Sequence, residues 1–183
     1  MRIIAGEKRG LVLRTLTGTQ YRPTLGRVKE SLFGILSPII DNAKVLDLFA
    51  GSGALGLEAL SRGAASVHFV EKSRDAAKTI EFNIDKANYS DRSLLFVGDF
   101  AEVGKTVAST ETFDLVLADP PYLQGYLQQV ITLVEKHNLL AADGILTMEM
   151  EKRDVKPFPE EGWRMVREKK YGSTIVWIMR RIL

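Results

Sequence analysis

The sequence predicts an α/β protein: a mixed, mainly parallel sheet of seven strands with helices on both faces, preceded by an N-terminal hairpin and helix. Two observations carry this. From Lys44 onward, short apolar runs alternate with segments of helical period, the pattern of parallel strands joined by crossover helices. Near the C-terminus the pattern changes to two β-rich runs on either side of Gly172-Ser173, which reads as an antiparallel hairpin attached to that sheet.

The elements follow in order. RIIAG and LVLRT flank EKRG and read as a hairpin with a glycine in its turn. In RPTLGRVKESLFGIL, residues Leu25, Val28, Leu32, Ile35 and Leu36 recur near helical spacing, so residues 25–36 are expected to be helical, with Ser37-Pro38 ending or redirecting the helix. VLDLFA is the first buried strand, and ALGLEALSRG a helix closed by Gly63. SVHFVE is the second strand; SRDAAKTIEFNIDKAN is a helix capped by Ser73. SLLFVGD is the third strand, followed by a short helix at 100–108. FDLVLADPP is the fourth, YLQGYLQQVITLVEKHN a helix and GILTMEM the fifth. WRMVREKKY and TIVWIMRRI form the final hairpin. Length suits one domain, residues 41–183, with residues 1–40 as an extension.

Composition narrows the function. The 183 residues are 45% hydrophobic and 26% charged, an ordinary globular balance. There are no cysteines, which excludes disulfides, thiolate metal sites and a cysteine nucleophile and fits a reducing cytoplasm. His68 and His137 are the only imidazoles, too few for a histidine-rich metal site, so no metal is expected. MRIIAGEKRG lacks the apolar core of a signal peptide, and no membrane association is expected. Charge is uneven. Seven Lys/Arg face two Glu in residues 1–36, nine basic face sixteen acidic residues in 37–150, and nine face five in 151–183. An acidic middle thus carries two basic ends, either solvated faces or a polyanion-binding surface.

Ligands of open α/β sheets bind beyond the carboxyl ends of the strands. Asp47 to Gly53, Glu71, Asp99 and Asp119 to Tyr122 all sit at or just past such ends. GSGALG at 51–56 fits G-x-G-x-x-G between a strand and a helix; Gly51 and Gly53 permit a tight turn and close approach by a ligand. Glu71, twenty residues after Gly51, is placed to accept from two ribose hydroxyls. A nicotinamide dehydrogenase would share these features, but Asp47 separates the two. A carboxylate at that position repels a pyrophosphate and attracts a cofactor carrying a sulfonium and an ammonium. One such charge pair is worth about 1–4 kcal/mol at effective dielectrics of 80 to 20. The sign favours S-adenosylmethionine (SAM). Asp99 is placed to accept from the adenine amine, with Phe100 against the ring, while Phe33 and Phe49 are core or cofactor packing. The structural alternatives are that Asp47 caps the following turn, that Glu71 is a helix-approach acid and that Asp99 is an N-cap.

LADPPYLQ delivers Asp119 to the same edge. Pro120 and Pro121 fix φ and donate no hydrogen bond, so the backbone carbonyls are rigidly aimed. The Asp119 carboxylate, the Pro120 carbonyl and the flat face of Tyr122 together match a planar amine on a nucleobase. Accepting both N–H bonds favours a tetrahedral nitrogen with a free lone pair, and the acceptors strengthen as positive charge develops there.

DLFAGSG with DPPY resembles the Rossmann-like class I SAM-dependent amino-methyltransferases. RIIAG, KRG and RPT…RVKESLF resemble the RsmD-type family of bacterial 16S ribosomal RNA guanine-N2 methyltransferases. The resemblance implies SAM contacts around Asp47, Phe49, Gly51, Gly53, Glu71, Lys72, Asp99 and Phe100, and an amine site at Asp119, Pro120, Pro121 and Tyr122. It implies an RNA-facing extension in which Arg22, Pro23, Thr24 and Arg27 border the cleft. It also implies guanine 966 of 16S RNA as target, and the substrate is expected within the small subunit or an assembly intermediate; a monomeric, cytoplasmic protein is expected as well. Three rivals stand beside it: a DNA adenine-N6 methyltransferase, for which no target-recognition insertion is visible; a nicotinamide oxidoreductase; and a non-catalytic RNA-binding protein.

Overall fold

A computed structural model describes residues 1–16, 26–109, 111–122 and 124–182. Its centre is a seven-stranded sheet in the order β3-β2-β1-β4-β5-β7-β6. The parallel part comprises β1 (Lys44–Asp47), β2 (Ser66–Glu71), β3 (Ser93–Val97), β4 (Phe113–Ala118) and β5 (Leu140–Glu151). The hairpin of β6 (Trp163–Tyr171) and β7 (Thr174–Arg181) completes it, with β7 antiparallel to both β5 and β6. Strand order reverses where β1 meets β4, opening a crevice above Asp47 and Ala118.

Side chains alternate across this sheet, and each face has its own core. Val45, Val67, Phe69, Leu115 and Leu117 pack with α1 (Gly26–Ile40), α2 (Ala54–Ser61) and α3 (Arg74–Ala87). Leu46, Val70, Val116, Leu146 and Met148 pack with α4 (Phe100–Ala108) and α5 (Tyr126–Lys136). Both faces of the central strands β1, β2 and β4 are therefore largely buried, which is why their sequences are near-continuous apolar runs; β3, at the edge, leaves Leu94 and Val97 exposed. Ser73 caps α3, its side chain accepting from the Ala76 amide, and Asn88 ends the helix at φ +55°. Among the described residues no helix is long and apolar enough to cross a membrane.

Three elements differ from the sequence expectation. Helix α1 does not stop at Ser37-Pro38 but runs through Pro38 to Ile40. The proline lacks one intrahelical bond, yet the turn that contains it seats Leu36 and Ile40 in the core. Second, α5 begins at Tyr126, not Tyr122, behind Gly125 at φ +66°. Third, the N-terminal hairpin forms but is irregular: Ile3 donates to the Leu11 carbonyl, Gly10 to Ile3 and Leu13 to Met1, around one bridge, Arg2 to Val12. Other donors of this arm go to α2: Ile4 and Ala5 donate to the Glu58 carboxylate, and Lys8 to Ser61 Oγ. Ile3 and Leu13 are buried, so this arm is part of the first core.

Glu58 is wholly buried in α2, and Lys29 of α1 is its partner at 3.0 Å, with Arg62 Nε at 2.8 Å. Burial alone would raise the Glu58 carboxyl, but the Ile4 amide, Lys29 and Arg62 outweigh it and hold the group below its ordinary range. Lys29 also donates to the Arg2 carbonyl at 2.8 Å. One buried ionic knot thus fastens the arm to two helices.

Candidate active site

A cavity of about 770 Å³ opens at the strand-order reversal. Its walls include Phe49, Gly51, Glu71, Asp99, Asp119 and Tyr126. Volume and position are those of a ligand site in an open α/β sheet.

The glycine loop forms one wall. Leu48 and Ala50 donate to the Leu117 and Val70 carbonyls, so the chain leaving β1 stays stitched to both neighbouring strands. It then turns sharply: Gly53 donates to the Ala50 carbonyl at 2.7 Å, with Gly51 at φ +56° and Gly53 at φ +78°. Gly56 has a different reason. A Cβ there would run into the Phe69 ring, so its absence lets α2 settle directly on β2.

The acids behave differently from one another. Glu71 Oε2 accepts from the Gly51 amide at 2.8 Å and Oε1 from Ser73 at 2.7 Å, so it braces the loop while facing the cavity. Each oxygen retains a second lone pair for a ligand hydroxyl. Asp99 Oδ1 caps α4 through the Ala101 amide, and Oδ2 meets Lys72 at 3.3 Å. The N-cap alternative for Asp99 therefore describes one oxygen only. Phe100 and Phe49 pack with ring centroids 4.8 Å apart, Tyr126 completing the cluster.

Asp47 lies beneath the floor and is fully buried. Its Oδ2 accepts from the Gly56 amide in the first turn of α2, while Oδ1 has no hydrogen-bond partner. Burial, followed by the charges of Asp119 and Glu71, pushes its carboxyl up from 3.8 to about 7. With Glu71, Asp99 and Asp119 in its walls and Asp47 beneath it, four carboxylates surround one cavity, and the charge that relieves them is positive. A pyrophosphate would deepen the repulsion; the sulfonium and ammonium of SAM would relieve it, and the donor set fits that cofactor.

The DPPY segment closes the opposite wall. Asp119 is half-buried, Pro120 is buried, and both line the cavity with Pro121 and Tyr122. The Tyr122 hydroxyl donates to Glu149 Oε1 at 3.0 Å and lies 3.3 Å from Thr174 Oγ1. Burial, reinforced by the charges of Glu149 and Asp119, raises the phenol far above its ordinary value, so it stays protonated as a donor.

The structure brings together Phe49, Gly51, Glu71, Lys72, Asp99, Phe100, Asp119, Pro120, Pro121 and Tyr122 around one cavity. Gly53 and Asp47 support it from behind. Arg27 is exposed near the start of α1 and is not among the described lining residues. Arg22, Pro23 and Thr24 fall outside the described residues. Sequence reasoning missed Met1, Thr15 and Leu16, arm residues that line the same cavity, and the anchor Glu149. Glu149 had a signal: a carboxylate inside the apolar run of a central strand requires a partner.

The family model described as Conserved hypothetical protein 95 matches residues 1–180. YlbH of Bacillus subtilis is 35% identical over 182 residues, covering 99% of each chain. Ribosomal RNA small subunit methyltransferase D of Escherichia coli K12 is 34% identical, covering 99% of this chain and 90% of its own. The solved structure of yhhF from Escherichia coli superimposes with a TM-score of 0.86 at 32% identity, over 99% of this chain and 97% of that one. Sequence and fold agree along almost the whole length, and the chain belongs to the RsmD family of SAM-dependent methyltransferases.

Proposed function

We propose that this protein transfers a methyl group from SAM to the exocyclic N2 amine of a guanine in 16S ribosomal RNA, guanine 966, within the small subunit or its assembly intermediate. The observation that carries the reading is the meeting of two features in one cavity: an acid-lined cofactor side and the Asp119-Pro120-Pro121-Tyr122 wall. The names of the relatives support ribosomal RNA as the substrate class.

SAM supplies an electrophilic methyl on a sulfonium. The chain's own residues do the rest. Glu71 and Asp99 accept from the ribose and adenine groups, and Phe49 and Phe100 hold the base. Asp47 supplies negative charge beneath the cationic end. The Asp119 carboxylate and Pro120 carbonyl accept the two N–H bonds of the guanine amine, directing its lone pair into the cavity. Charge that develops on that nitrogen meets acceptors already in place. Tyr122 stacks on the tipped-out base, as a base withdrawn from its own stack requires. Residues 1–40, with Arg22, Thr24 and Arg27, face the RNA, and residues 41–183 carry the transfer.

The test is tritiated methyl transfer to small subunits from an unmethylated strain, followed by digestion to nucleosides. Label in N2-methylguanosine at one position is expected; label in N6-methyladenosine, or equal transfer to unrelated RNAs, would overturn the assignment. Asp119→Ala is expected to lower transfer by at least about hundredfold while the demethylated product, S-adenosylhomocysteine (SAH), still binds.

A further inference from the structure

The N-terminal arm runs along α3. The Arg14 guanidinium lies 3.5 Å from the centre of the Phe82 ring, and Lys86 Nζ donates to the Val12 carbonyl at 2.8 Å. Between them sits Asn83, fully buried. Its Oδ1 accepts from the Arg14 amide at 2.8 Å. Its Nδ2 donates to the Arg14 carbonyl and to the Ser52 carbonyl, each at 2.9 Å. Ser52 stands between the two loop glycines, and Thr15 and Leu16, which follow Arg14, line the cavity that the loop also lines.

One side-chain amide therefore joins the cofactor loop to the arm, across 31 residues on one side and 69 on the other. We propose that Asn83 is a positioning residue that couples methyl-donor binding at the glycine loop to ordering of the N-terminal arm. The proposal rests on the reading that this cavity takes SAM. Both Nδ2 protons are committed to carbonyls on separate segments, in a place shielded from water. If the loop shifts, one proton loses its acceptor, and a buried unmatched donor is costly. The amide then turns, and the Arg14 bonds loosen with it. A ligand that holds the loop therefore holds the arm. By reciprocity, a substrate that presses the arm into place raises affinity for the donor. Only Asn has the required donors and acceptor at this length: Asp would set a carboxylate against two carbonyl oxygens.

The test is residue-resolved amide hydrogen exchange on the full chain, with and without saturating SAH, alongside calorimetric SAH binding. In the wild type, SAH is expected to slow exchange at the Arg14 amide by about tenfold. In Asn83→Ala and Asn83→Asp, SAH affinity is expected to fall by about tenfold, and the arm should no longer respond to ligand. Lys86→Ala, which removes an arm contact remote from Ser52, should keep the response. A purely structural clamp would lower stability without making arm exchange depend on ligand. Normal SAH binding to the wild type with unchanged Arg14 exchange would overturn the coupling alone, whether or not the variants fold. A flat wild-type isotherm would remove the donor reading and this proposal with it.

Discussion

Asp47→Asn should make the ligand-free protein more stable and a poorer binder of SAM. The carboxyl is fully buried, one oxygen lacks a partner, and its folded value of about 7 stands against 3.8 for the free group. The linkage sign is that of an acid whose proton is held more tightly when folded. Its cost to stability is absent below 3.8, grows as pH rises, and is complete above about 7. The full displacement corresponds to about 4 kcal/mol, at about 1.4 kcal/mol per tenfold change. An amide keeps the acceptor for the Gly56 amide and never ionises. The stability advantage of the variant over wild type, from urea unfolding, should therefore widen by about 2–3 kcal/mol between about pH 5 and pH 8. Calorimetry at the same pH values should show SAM binding weakened by about tenfold or more, because the variant lacks the charge beneath the sulfonium and ammonium. An advantage that stays flat with pH would refute the claim that a strained carboxylate underlies this cavity.

Other substitutions test other parts. Glu58→Ala breaks a buried ion pair and strips acceptors from the Ile4 and Ala5 amides; unfolding should show a loss of about 3–5 kcal/mol, and wild-type stability would show the knot to be idle. Gly56→Ala forces α2 away from the Phe69 ring, with an expected loss of about 1–3 kcal/mol and weaker SAH binding by calorimetry. Tyr122→Phe removes the bond to Glu149, so stability should fall by about 2 kcal/mol and kcat by about tenfold, with SAH affinity unchanged. A thousandfold fall in kcat would instead give the hydroxyl a direct part in the chemistry.

The parallel half of the sheet was legible because burial on both faces of its central strands leaves apolar runs, and β2, α4 and the β6–β7 hairpin lie where their sequences place them. The acids were legible through position, each standing at the end of a strand. What the sequence hid was pairing at long range. Lys29 occupies a core position of α1 and Glu58 is enclosed in α2, and neither makes sense until the two are seen together. Asn83 looks like any polar residue of an amphipathic helix; its partners are 31 and 69 positions away. The hairpin of RIIAG and LVLRT was legible, but not that its Ile4, Ala5 and Lys8 amides turn to side chains of α2. Pro38 misled because the burial of Ile40 outweighs one missing helical bond.

The insertion of β7 between β5 and β6 has a consequence for synthesis. When the nascent chain has delivered β5, that strand's outer edge is open, and it stays open until β7, the later partner of the hairpin, has emerged. Thr174, beside the Tyr122 hydroxyl, lies on that same late strand. Until β7 arrives, the nascent protein therefore has a sticky flank, and the cavity wall around Tyr122 lacks one of its anchors.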